Sequence, residues 1–414
     1  MIESQFSMLR NKEIIVGITG GIAAYKTAEL IRFLTRRGAN VHVVMTKNAM
    51  QFVTPLTFQT LSGNPVIHEM FELFRGSKIG HIALSDIADL LVIAPATANI
   101  IGKIANGIAD DFLTTMVMAT TVPVFFVPSM NTKMWSSKMV QANMVRLREA
   151  GYELMEPASG ALACGTEGKG RLPSIEEIVE RIEDIFTTKD LTAERIMVTA
   201  GPTTEYIDPV RCITNRSSGK MGYAIAKMAR RRGARVMIVS GPTSIPVPRD
   251  DIMTVPVVTA VEMRDAVMKY YKDCTVIIKA AAVADFKCAT ENCQKIKKKG
   301  DIQRVMLELE KNPDIIGELC QVKGGRVVVG FAAETENIIE HAVDKLKRKD
   351  LDLIVANNVA QEGIGFGSEQ NEVTIIDRSG ATKQVPRLSK EEIANIILDS
   401  VKKIIKKRRK IVEG

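Results

Sequence analysis

Each half of the chain starts with the same pattern, an apolar run followed by a glycine turn and an amphipathic helix. This repeated pattern is the strongest constraint on the fold. The first start is EIIVGITGG, residues 13–21, and the second is ERIMVTAG, residues 194–201. The helix pattern after the first start ends at Gly38 and has these apolar positions: Ala23, Thr27, Leu30, Ile31 and Leu34. Strand and helix patterns alternate along most of the chain, which predicts an α/β fold with mostly parallel sheets.

The chain is too long for one ordinary hydrophobic core, because it has 414 residues. The polar stretch TTKDLTAE, residues 187–194, is a typical linker. We therefore predict two α/β domains, 1–189 and 190–414. Within the second domain, PTTEYIDPVRCITNRSSG at residues 202–219 is interpreted as a long polar insertion between the first strand and its helix.

Composition excludes several classes of protein. Hydrophobic residues make up 46% and charged residues 25%, the balance of a globular chain. No apolar run approaches the ~20 residues of a membrane span, and the start MIESQFSMLRNKEIIVG lacks the pattern of a secretory signal. We expect a cytoplasmic protein without membrane contact. The six cysteines form no CxxC pair and the four histidines no HExxH motif, so no protein-bound metal is expected.

The formal charge of +8 is concentrated in short clusters. They are RRR at residues 230–232, KIKKK at residues 295–299 and the tail KKIIKKRRK at residues 402–410. Aromatic residues are only 5%, and no basic and aromatic surface typical of nucleic-acid binding is present. We expect small phosphorylated ligands and no nucleic acid. The tail predicts an amphipathic final helix with a solvated basic face.

The turn after the first strand favours a mononucleotide over NAD. Backbone N–H groups at a helix N-terminus bind phosphate, and Gly20 and Gly21 allow its close approach, although such glycines also occur for steric reasons alone. The spacing is G-x-x-G-G rather than G-x-G-x-x-G. The second strand ends in Thr46, where a dinucleotide site needs Asp or Glu for the ribose. FMN has no adenosine ribose and avoids this requirement.

The stretch ALACGTEGKGRL, residues 161–172, places Cys164 among glycines. Glycines at this density disfavour a helix or a regular strand, so the segment is predicted to be a loop. Its thiol is then either incidental or presented to a ligand.

Longer motifs carry a resemblance to a family. GITGGIAAYKTAELIRFL, FVTPLTFQTLSGNPV, GHIALSDIADLLVIAPATANIIGKIANGIADD and PSMNTKMW resemble the FMN-dependent cysteine decarboxylases, especially those acting on phosphopantothenoylcysteine. The PASANT box of that family stands here at residues 95–100, with Thr97 and Ile100 replacing its serine and last threonine. The resemblance implies a flavodoxin-like, FMN-binding domain. The FMN contacts that it implies are Thr19, Gly20, Gly21, Ile22, Thr46, Pro95, Thr97 and Asn99.

The resemblance also implies a reaction in which flavin oxidises the substrate thiol to a thioaldehyde, carbon dioxide leaves, and the ene-thiol is reduced again. His81 would be the base near the thiol, and Asn131 would hold the substrate carboxylate through its amide. Cys164 lies in the family motif ACGxxGxGR and would donate a proton from a mobile flap. Taken alone, His81 also fits a structural histidine hydrogen-bonded at the start of a strand, and Asn131 an ordinary turn asparagine.

The second half resembles the phosphopantothenate–cysteine ligases through VTAGPTTEYIDPVRCITNRSSGKMGYAIA, KAAAVADF, KIKKKGD, KNPDII, VVVGFAAET and DLIVANNV. Such a ligase domain is Rossmann-like, and the two resemblances together imply a bifunctional chain of coenzyme A synthesis. The carboxylate of 4′-phosphopantothenate would attack CTP at the α-phosphate and release pyrophosphate. Cysteine would then displace CMP from the acyl-cytidylate.

The ligase resemblance assigns roles to individual residues. Asn215 would polarise the activated acyl group, Arg211 would contact it or its phosphate, and Lys295 would neutralise charge on the triphosphate. Mg²⁺ would accompany the triphosphate rather than occupy a protein-only site. The loop NRSSGKMG, residues 215–222, is either an anion-binding nest or a serine cap with a solvated lysine. The implied CTP contacts are Lys279, Ala280, Ala281, Asp285, Lys295, Pro313, Asp314, Ile315, Ile316, Phe331, Lys345 and Lys349.

The family resemblance further implies a homo-oligomer, with trimeric decarboxylase contacts and dimeric ligase contacts that could build a dodecamer. Two alternative functions stay open for the sequence. One is an FMN-binding regulatory subunit of the phosphatase-inhibitor type, and the other is an FMN-dependent decarboxylase of peptidyl cysteine. The attached ligase argues against the second, and the presence of His81, Asn131 and Cys164 argues against the first, because regulatory relatives often lack one of these residues.

Overall fold

A computed structural model describes residues 8–70, 80–162, 165, 167–246, 251–297, 305–334, 338–358 and 367–413. The chain divides into two compact units, Met1–Thr187 and Thr188–Gly414. This division lies beside the boundary predicted between residues 189 and 190.

The first unit alternates strands and helices from its first element. Its strands are β1 (Glu13–Ile18), β2 (Asn40–Met45), β3 (Val66–Ile67), β4 (Leu90–Ala96), β5 (Val124–Pro128), β6 (Glu153–Leu154), β7 (Ala158–Ala161) and β8 (Glu167–Arg171). Its helices are α1 (Ala24–Arg36), α2 (Pro55–Ser62), α3 (Gly80–Ile87), α4 (Ala98–Ala105), α5 (Phe112–Ala119), α6 (Thr132–Trp135), α7 (Lys138–Glu149) and α8 (Ile175–Phe186).

Within the described residues, the main sheet of this unit is parallel and has the order β3-β2-β1-β4-β5-β6. This order is that of a Rossmann-like sheet, in which the ligand crevice lies where the order reverses between β1 and β4. The strands are buried on both faces because helices cover both: Val16 packs in one apolar cluster and Ile15 in the other. The predicted α1 face is confirmed, since Thr27, Leu30 and Leu34 are buried.

The second unit repeats this plan and adds an antiparallel edge. Its strands are β9 (Arg195–Ala200), β10 (Thr204–Asp208), β11 (Arg211–Thr214), β12 (Arg235–Ser240), β13 (Ile252–Pro256), β14 (Val276–Lys279), β15 (Phe286–Cys288), β16 (Leu309–Lys311), β17 (Val327–Glu334), β18 (Leu353–Asn358), β19 (Gln370–Asp377) and β20 (Thr382–Ser389). Its helices are α9 (Lys220–Arg231), α10 (Ala260–Tyr270), α11 (Ile315–Val322), α12 (Ile338–Arg348) and α13 (Lys390–Glu413).

In the described part of this unit the large sheet has the order β13-β12-β9-β14-β17-β18-β19-β20. The first six of these strands are parallel and follow the Rossmann-like order again, while β19 and β20 pair antiparallel. The α/β class with two Rossmann-like domains, predicted from the sequence, is confirmed. Nowhere in the described ranges is a helix long and apolar enough to cross a lipid bilayer.

The polar insertion predicted at residues 202–219 is not irregular throughout. It contains the antiparallel hairpin of β10 and β11. Two of its acidic side chains, Glu205 and Asp208, are buried because backbone N–H groups donate to them. The Glu205 carboxylate, for example, accepts a 2.9 Å hydrogen bond from Ala260 N at the start of α10.

The prediction that the basic face of the C-terminal helix is solvated is wrong in part. Arg408 of α13 forms an ion pair with the buried Asp352, and Arg409 lies 2.6 Å from the buried Glu194. Lys402 lies 2.5 Å from Asp190. These cations hold the final helix on its own unit, because a buried carboxylate needs a partner.

Candidate active sites

A cavity of about 660 Å³ opens at the carboxyl edge of the first sheet. Its walls are the turns that follow β1, β2, β4 and β5, which is the switch point where open α/β sheets bind ligands. Its volume is in the usual range for a small-molecule site. Eight of the residues predicted to bind FMN or substrate line it: Thr19, Gly20, Gly21, Ile22, Thr46, Thr97, Asn99 and Asn131.

Hydrogen bonds fix the two turns at the centre of this cavity. The buried Thr19 hydroxyl donates to the carbonyl oxygen of Pro95 at 2.6 Å and accepts from Thr97 N at 3.2 Å. The Thr97 hydroxyl in turn accepts from Ile100 N and caps α4. Pro95 therefore lies behind the cavity wall, where its carbonyl positions Thr19.

The two glycines of the first turn differ in how closely they pack against their neighbours. A Cβ on Gly20 would lie 2.4 Å from the Asn48 Cβ, so this glycine is required by packing against the turn after β2. A Cβ on Gly21 would lie 3.3 Å from the Thr97 methyl and 3.9 Å from the Pro95 Cγ. The steric alternative considered for the glycine pair thus accounts for Gly20, while Gly21 has a close neighbour only in the side chain of Thr97.

Sequence reasoning missed a charged cluster on the cavity wall. Lys103 lies one turn after Asn99 on α4, and its ammonium is 2.7 Å from Asp110 and 3.5 Å from Asp111. The bond to Asp110 raises the pKa of Lys103 above its ordinary value. Asp111 also caps α5. The four-residue spacing of Asn99 and Lys103 was the available signal, because it places both on one helix face.

The glycine-rich segment is not a loop throughout, as its composition predicted, because Glu167–Arg171 form a strand. β7 and β8 pair antiparallel from Ala158 to Arg171. Gly160, Gly168 and Gly170 have φ values of 145°, 152° and 152°, a region of backbone conformation that favours glycine. Glycine at these positions therefore allows the two strands to form. Cys164 stands between these two strands in the sequence and lies outside the described residues.

The structure describes the side chain of only one of the three candidate catalytic residues of the first unit. His81 is the second residue of α3, not the start of a strand, and its side chain lies outside the described residues, as does Cys164. Asn131 caps α6, and its Oδ1 accepts from Lys133 N at 2.8 Å. This contact orients the Asn131 side chain at the cavity wall.

In the second unit, a buried carboxylate brings together two predicted catalytic segments. Asp208 accepts hydrogen bonds from the backbone N–H groups of Val210, Arg211 and Ile296, at 2.8–3.1 Å. Burial acts to raise its pKa, but these donors outweigh it and hold the pKa below the ordinary value. The Arg211 guanidinium lies 3.1 Å from Asp208. Lys295, exposed and adjacent to Ile296, is therefore held beside Arg211.

Asn215 lies against the segment after β14. Its Nδ2 donates to the carbonyl oxygen of Val283 at 3.0 Å. Asn312 closes the same segment from the other side, because its N donates to Asp285 O and its Nδ2 to Ala284 O, both at 2.9 Å. Asp285 lies directly before β15, with five residues between it and β14, which stops at Lys279.

The N–H groups of Ala280 and Ala281 are both directed at Thr199 of β9. The first donates to the Thr199 carbonyl oxygen and the second to its hydroxyl, each at 3.2 Å. Since these donors are used within the sheet edge, a ligand beside the segment would meet its remaining backbone atoms. These two hydrogen bonds fix the backbone at Ala280 and Ala281, near the start of the segment predicted to contact the nucleotide.

The predicted lysines of the second unit converge near the start of α11. Lys345 donates to the Phe331 carbonyl oxygen at 2.9 Å, and Lys349 forms an ion pair with Asp314, the cap of α11. Pro313, directly before this cap, is half-buried. Ile315 and Ile316 belong to the hydrophobic core, which leaves only their backbone atoms for a ligand.

The helix-entry loop of α9 has its cation already paired. Lys220 donates to the Gly367 carbonyl oxygen at 2.9 Å and forms an ion pair with Glu369. The hydroxyl of Ser217 accepts from Gly219 N at 3.3 Å, and Gly219 has a φ of 76°. Lys220 is therefore paired in this conformation, with 32% of its side chain exposed. In the described ranges no three His, Cys, Asp or Glu side chains form a metal-binding group.

Known families match both units. Residues 2–187 match the flavoprotein family, and residues 191–405 match the DNA/pantothenate metabolism flavoprotein C-terminal domain.

Two curated relatives are similar over nearly the whole chain. The coenzyme A biosynthesis bifunctional protein CoaBC of Bacillus subtilis is 46% identical over 397 residues, covering 95% of this chain and 97% of that protein. The protein of the same name from Escherichia coli (strain K12) is 44% identical, with 95% and 97% covered. A solved structure of the C-terminal domain of a protein of this name covers 53% of this chain and all of its own, at 39% identity and a TM-score of 0.46.

Proposed function

The chain belongs to the family of coenzyme A biosynthesis bifunctional proteins, and from this premise we propose which residues carry out its two reactions. It is a phosphopantothenate–cysteine ligase joined to a phosphopantothenoylcysteine decarboxylase of the flavoprotein type. The second unit makes 4′-phosphopantothenoylcysteine, and the first unit decarboxylates it to 4′-phosphopantetheine.

FMN is the flavin proposed for the first cavity. The volume of about 660 Å³ accommodates a mononucleotide, and Gly20 and Gly21 line the cavity just before the N-terminal end of α1, the kind of place where a phosphate binds. Thr46 supplies no carboxylate for a second ribose, which agrees with a mononucleotide. Thr19, Gly20, Gly21, Thr97 and Asn99 would hold it. When bound, FMN supplies a two-electron acceptor for the substrate thiol and returns those electrons after carbon dioxide has left.

The side chains of the first unit then bind substrate and move protons. Asn131 holds the departing carboxylate through its amide, and His81 removes the thiol proton. Cys164 donates a proton to carbon when the product forms. One observation carries this assignment: Met130 N donates to Gly170 O at 2.9 Å, so the hairpin that bears Cys164 is fixed beside the Asn131 loop.

The ligase reaction is proposed for the edge between the β10–β11 hairpin and α12. The carboxylate of 4′-phosphopantothenate attacks the α-phosphate of CTP and pyrophosphate leaves. Lys295, held beside Arg211 by the Asp208 network, neutralises charge on the triphosphate together with Mg²⁺. Asn215 polarises the acyl group while the cysteine amine displaces CMP.

Incubation of the full chain with 4′-phosphopantothenate, cysteine and each nucleoside triphosphate in turn tests this proposal. We expect 4′-phosphopantothenoylcysteine with CTP and release of CMP and pyrophosphate, identified by mass. Equal product with ATP would overturn the choice of nucleotide, and no amide with any triphosphate would overturn the assignment of the second unit. The assembly is proposed to be a cytoplasmic homo-oligomer built from decarboxylase trimers and ligase dimers.

A further inference from the structure

The hydrogen-bond ladder between β9 and β14 continues past the last residue of β14. Such a ladder between parallel strands has evenly spaced bonds, and here Ala282 N donates to Gly201 O at 2.9 Å. Two residues later the donor is Ala284 N, but its acceptor is the side-chain hydroxyl of Thr203, at 3.0 Å, rather than a carbonyl oxygen. A side chain therefore extends the ladder by one step, up to the residue before Asp285.

The Thr203 hydroxyl takes this position because the carbonyl oxygen of the same residue is engaged elsewhere. That carbonyl oxygen accepts from the Thr214 hydroxyl of β11 at 2.7 Å, at the point where the chain turns from β9 into the β10–β11 hairpin. Thr203 and Ala284 are buried, with 0% and 3% of their surface exposed. A buried N–H that loses its acceptor is costly, because water cannot replace the missing partner.

Asn312 holds the same stretch of main chain at its carbonyl oxygens. Its Nδ2 donates to Ala284 O and its main-chain N to Asp285 O, both at 2.9 Å. Asn312 directly precedes Pro313 and Asp314, the cap of α11. These bonds therefore join the segment after β14 to the start of α11, and both segments contain CTP contacts that the family resemblance implies.

We propose that Thr203 and Asn312 are positioning residues of the ligase site, which hold the main chain of Ala284 and so place the exposed Asp285 carboxylate for the nucleotide. A carboxylate accepts hydrogen bonds from the hydroxyl and amino groups of a nucleoside and is repelled by its phosphates, so its position affects affinity. Thr203 is fully buried and acts through Ala284 alone. This inference rests on the proposed ligase function and adds two residues to it.

Steady-state kinetics of CMP release by the full chain, with 4′-phosphopantothenate and cysteine saturating, test the proposal. Thr203→Val keeps the branched shape and removes the hydroxyl, whereas Thr203→Ser keeps the hydroxyl and removes the methyl group. Thr275→Val is the matched control, because the Thr275 hydroxyl accepts from Arg195 N at 3.0 Å at the opposite end of the same two strands. Circular dichroism checks folding, and decarboxylation of supplied 4′-phosphopantothenoylcysteine checks the first unit in each sample.

We expect Thr203→Val to raise the KM for CTP by about tenfold, the effect of leaving one buried donor without its acceptor, with little change in kcat. Thr203→Ser and Thr275→Val should keep the wild-type KM, and decarboxylation should be the same in all variants. An unchanged KM in Thr203→Val overturns the proposal. An equal rise in Thr203→Ser also overturns it, because the methyl group and not the hydroxyl would then be responsible.

Asn312→Leu tests the other side of the segment and carries the test if Thr203→Val does not fold. It removes the donor to Ala284 O at similar volume, so it too should raise the KM for CTP with little change in kcat. An unchanged KM would exclude Asn312 as a positioning residue. If the wild type uses ATP instead of CTP, the proposed nucleotide is wrong and the same comparison with ATP decides the role of both residues. No amide with any triphosphate would overturn the proposed function and this inference with it.

Discussion

The backbone N–H of Met130 donates a 2.9 Å hydrogen bond to the carbonyl oxygen of Gly170. The two main chains are so close that a Cβ on Gly170 would lie 2.2 Å from the Met130 carbonyl oxygen. Glycine is therefore required at residue 170 by close packing. The contact fixes the hairpin of β7 and β8 against the turn that carries Asn131, one residue after Met130.

Gly170→Ala should slow decarboxylation on the order of 100-fold. The added Cβ displaces the hairpin from the Asn131 turn, and a displacement of a catalytic group by about 1 Å reduces the rate by this factor. Ligase activity should be unchanged. The measurement is the rate of 4′-phosphopantetheine formation from 4′-phosphopantothenoylcysteine, with flavin content measured by absorbance. Gly165→Ala is the control: its φ of 78° is also positive, but nothing lies within 4 Å of the added Cβ. Equal losses in both variants would contradict the role of the Gly170 contact.

Cys164→Ser should keep its flavin and still release carbon dioxide, but it should form little 4′-phosphopantetheine. A serine hydroxyl is a much weaker acid than a thiol, so the proposed proton donation fails at the last step. Carbon dioxide release and product mass are measured on the same sample. Normal formation of 4′-phosphopantetheine by this variant would remove Cys164 from the reaction.

Asn215→Asp should still release pyrophosphate from CTP but accumulate the acyl-cytidylate. A carboxylate cannot donate the bond that Asn215 Nδ2 makes to Val283 O, and its charge repels the activated acyl phosphate. Quenched reactions analysed by mass measure the intermediate. Asn292→Asp is a suitable control, since within the described ranges the side-chain amide of Asn292 makes one hydrogen bond, to Ile207 O at 3.4 Å. Amide formation at the wild-type rate would exclude Asn215.

Lys279→Met should stabilise the protein at pH 7, and the gain should shrink as the pH rises to about 10.5. Burial, followed by the charges of Lys345 and Lys349, lowers the folded pKa of Lys279 to about 8 from 10.5. Between these values the unfolded chain therefore binds more protons, and wild-type stability rises with pH relative to the variant. Denaturant unfolding of both proteins across this range, without nucleotide, measures the difference. A constant difference from pH 7 to 10.5 would contradict the lowered pKa.

A fragment beginning at residue 190 should fold and form 4′-phosphopantothenoylcysteine without flavin. The unit Thr188–Gly414 has its own sheet and hydrophobic core, which supports independent folding. Circular dichroism and ligase assays on the fragment measure this. An unfolded fragment would show that the second unit depends on the first.

Sequence periodicity sufficed for the parts of the fold that depend on local pattern. The α1 face of Thr27, Leu30 and Leu34 is buried as predicted, and apolar runs such as 14–18 form central strands. Periodicity reports which residues avoid water, and these elements are defined by that property.

The errors involve polar residues that find distant partners. Asp208 and Asp352 are buried carboxylates with distant partners, because Ile296 N donates to the first and Arg408 pairs with the second. Such pairing depends on contacts 56 and 88 residues apart, which no local pattern contains. The same holds for Lys279, whose position among other charged groups follows only from the assembled sheet.

The most direct test of the account is to supply 4′-phosphopantothenate, cysteine, CTP and Mg²⁺ to the full chain before and after removal of its flavin. The flavin-bearing protein should make 4′-phosphopantetheine, and the stripped protein should stop at 4′-phosphopantothenoylcysteine until FMN is added back. Equal formation of 4′-phosphopantetheine by the stripped protein would contradict the account.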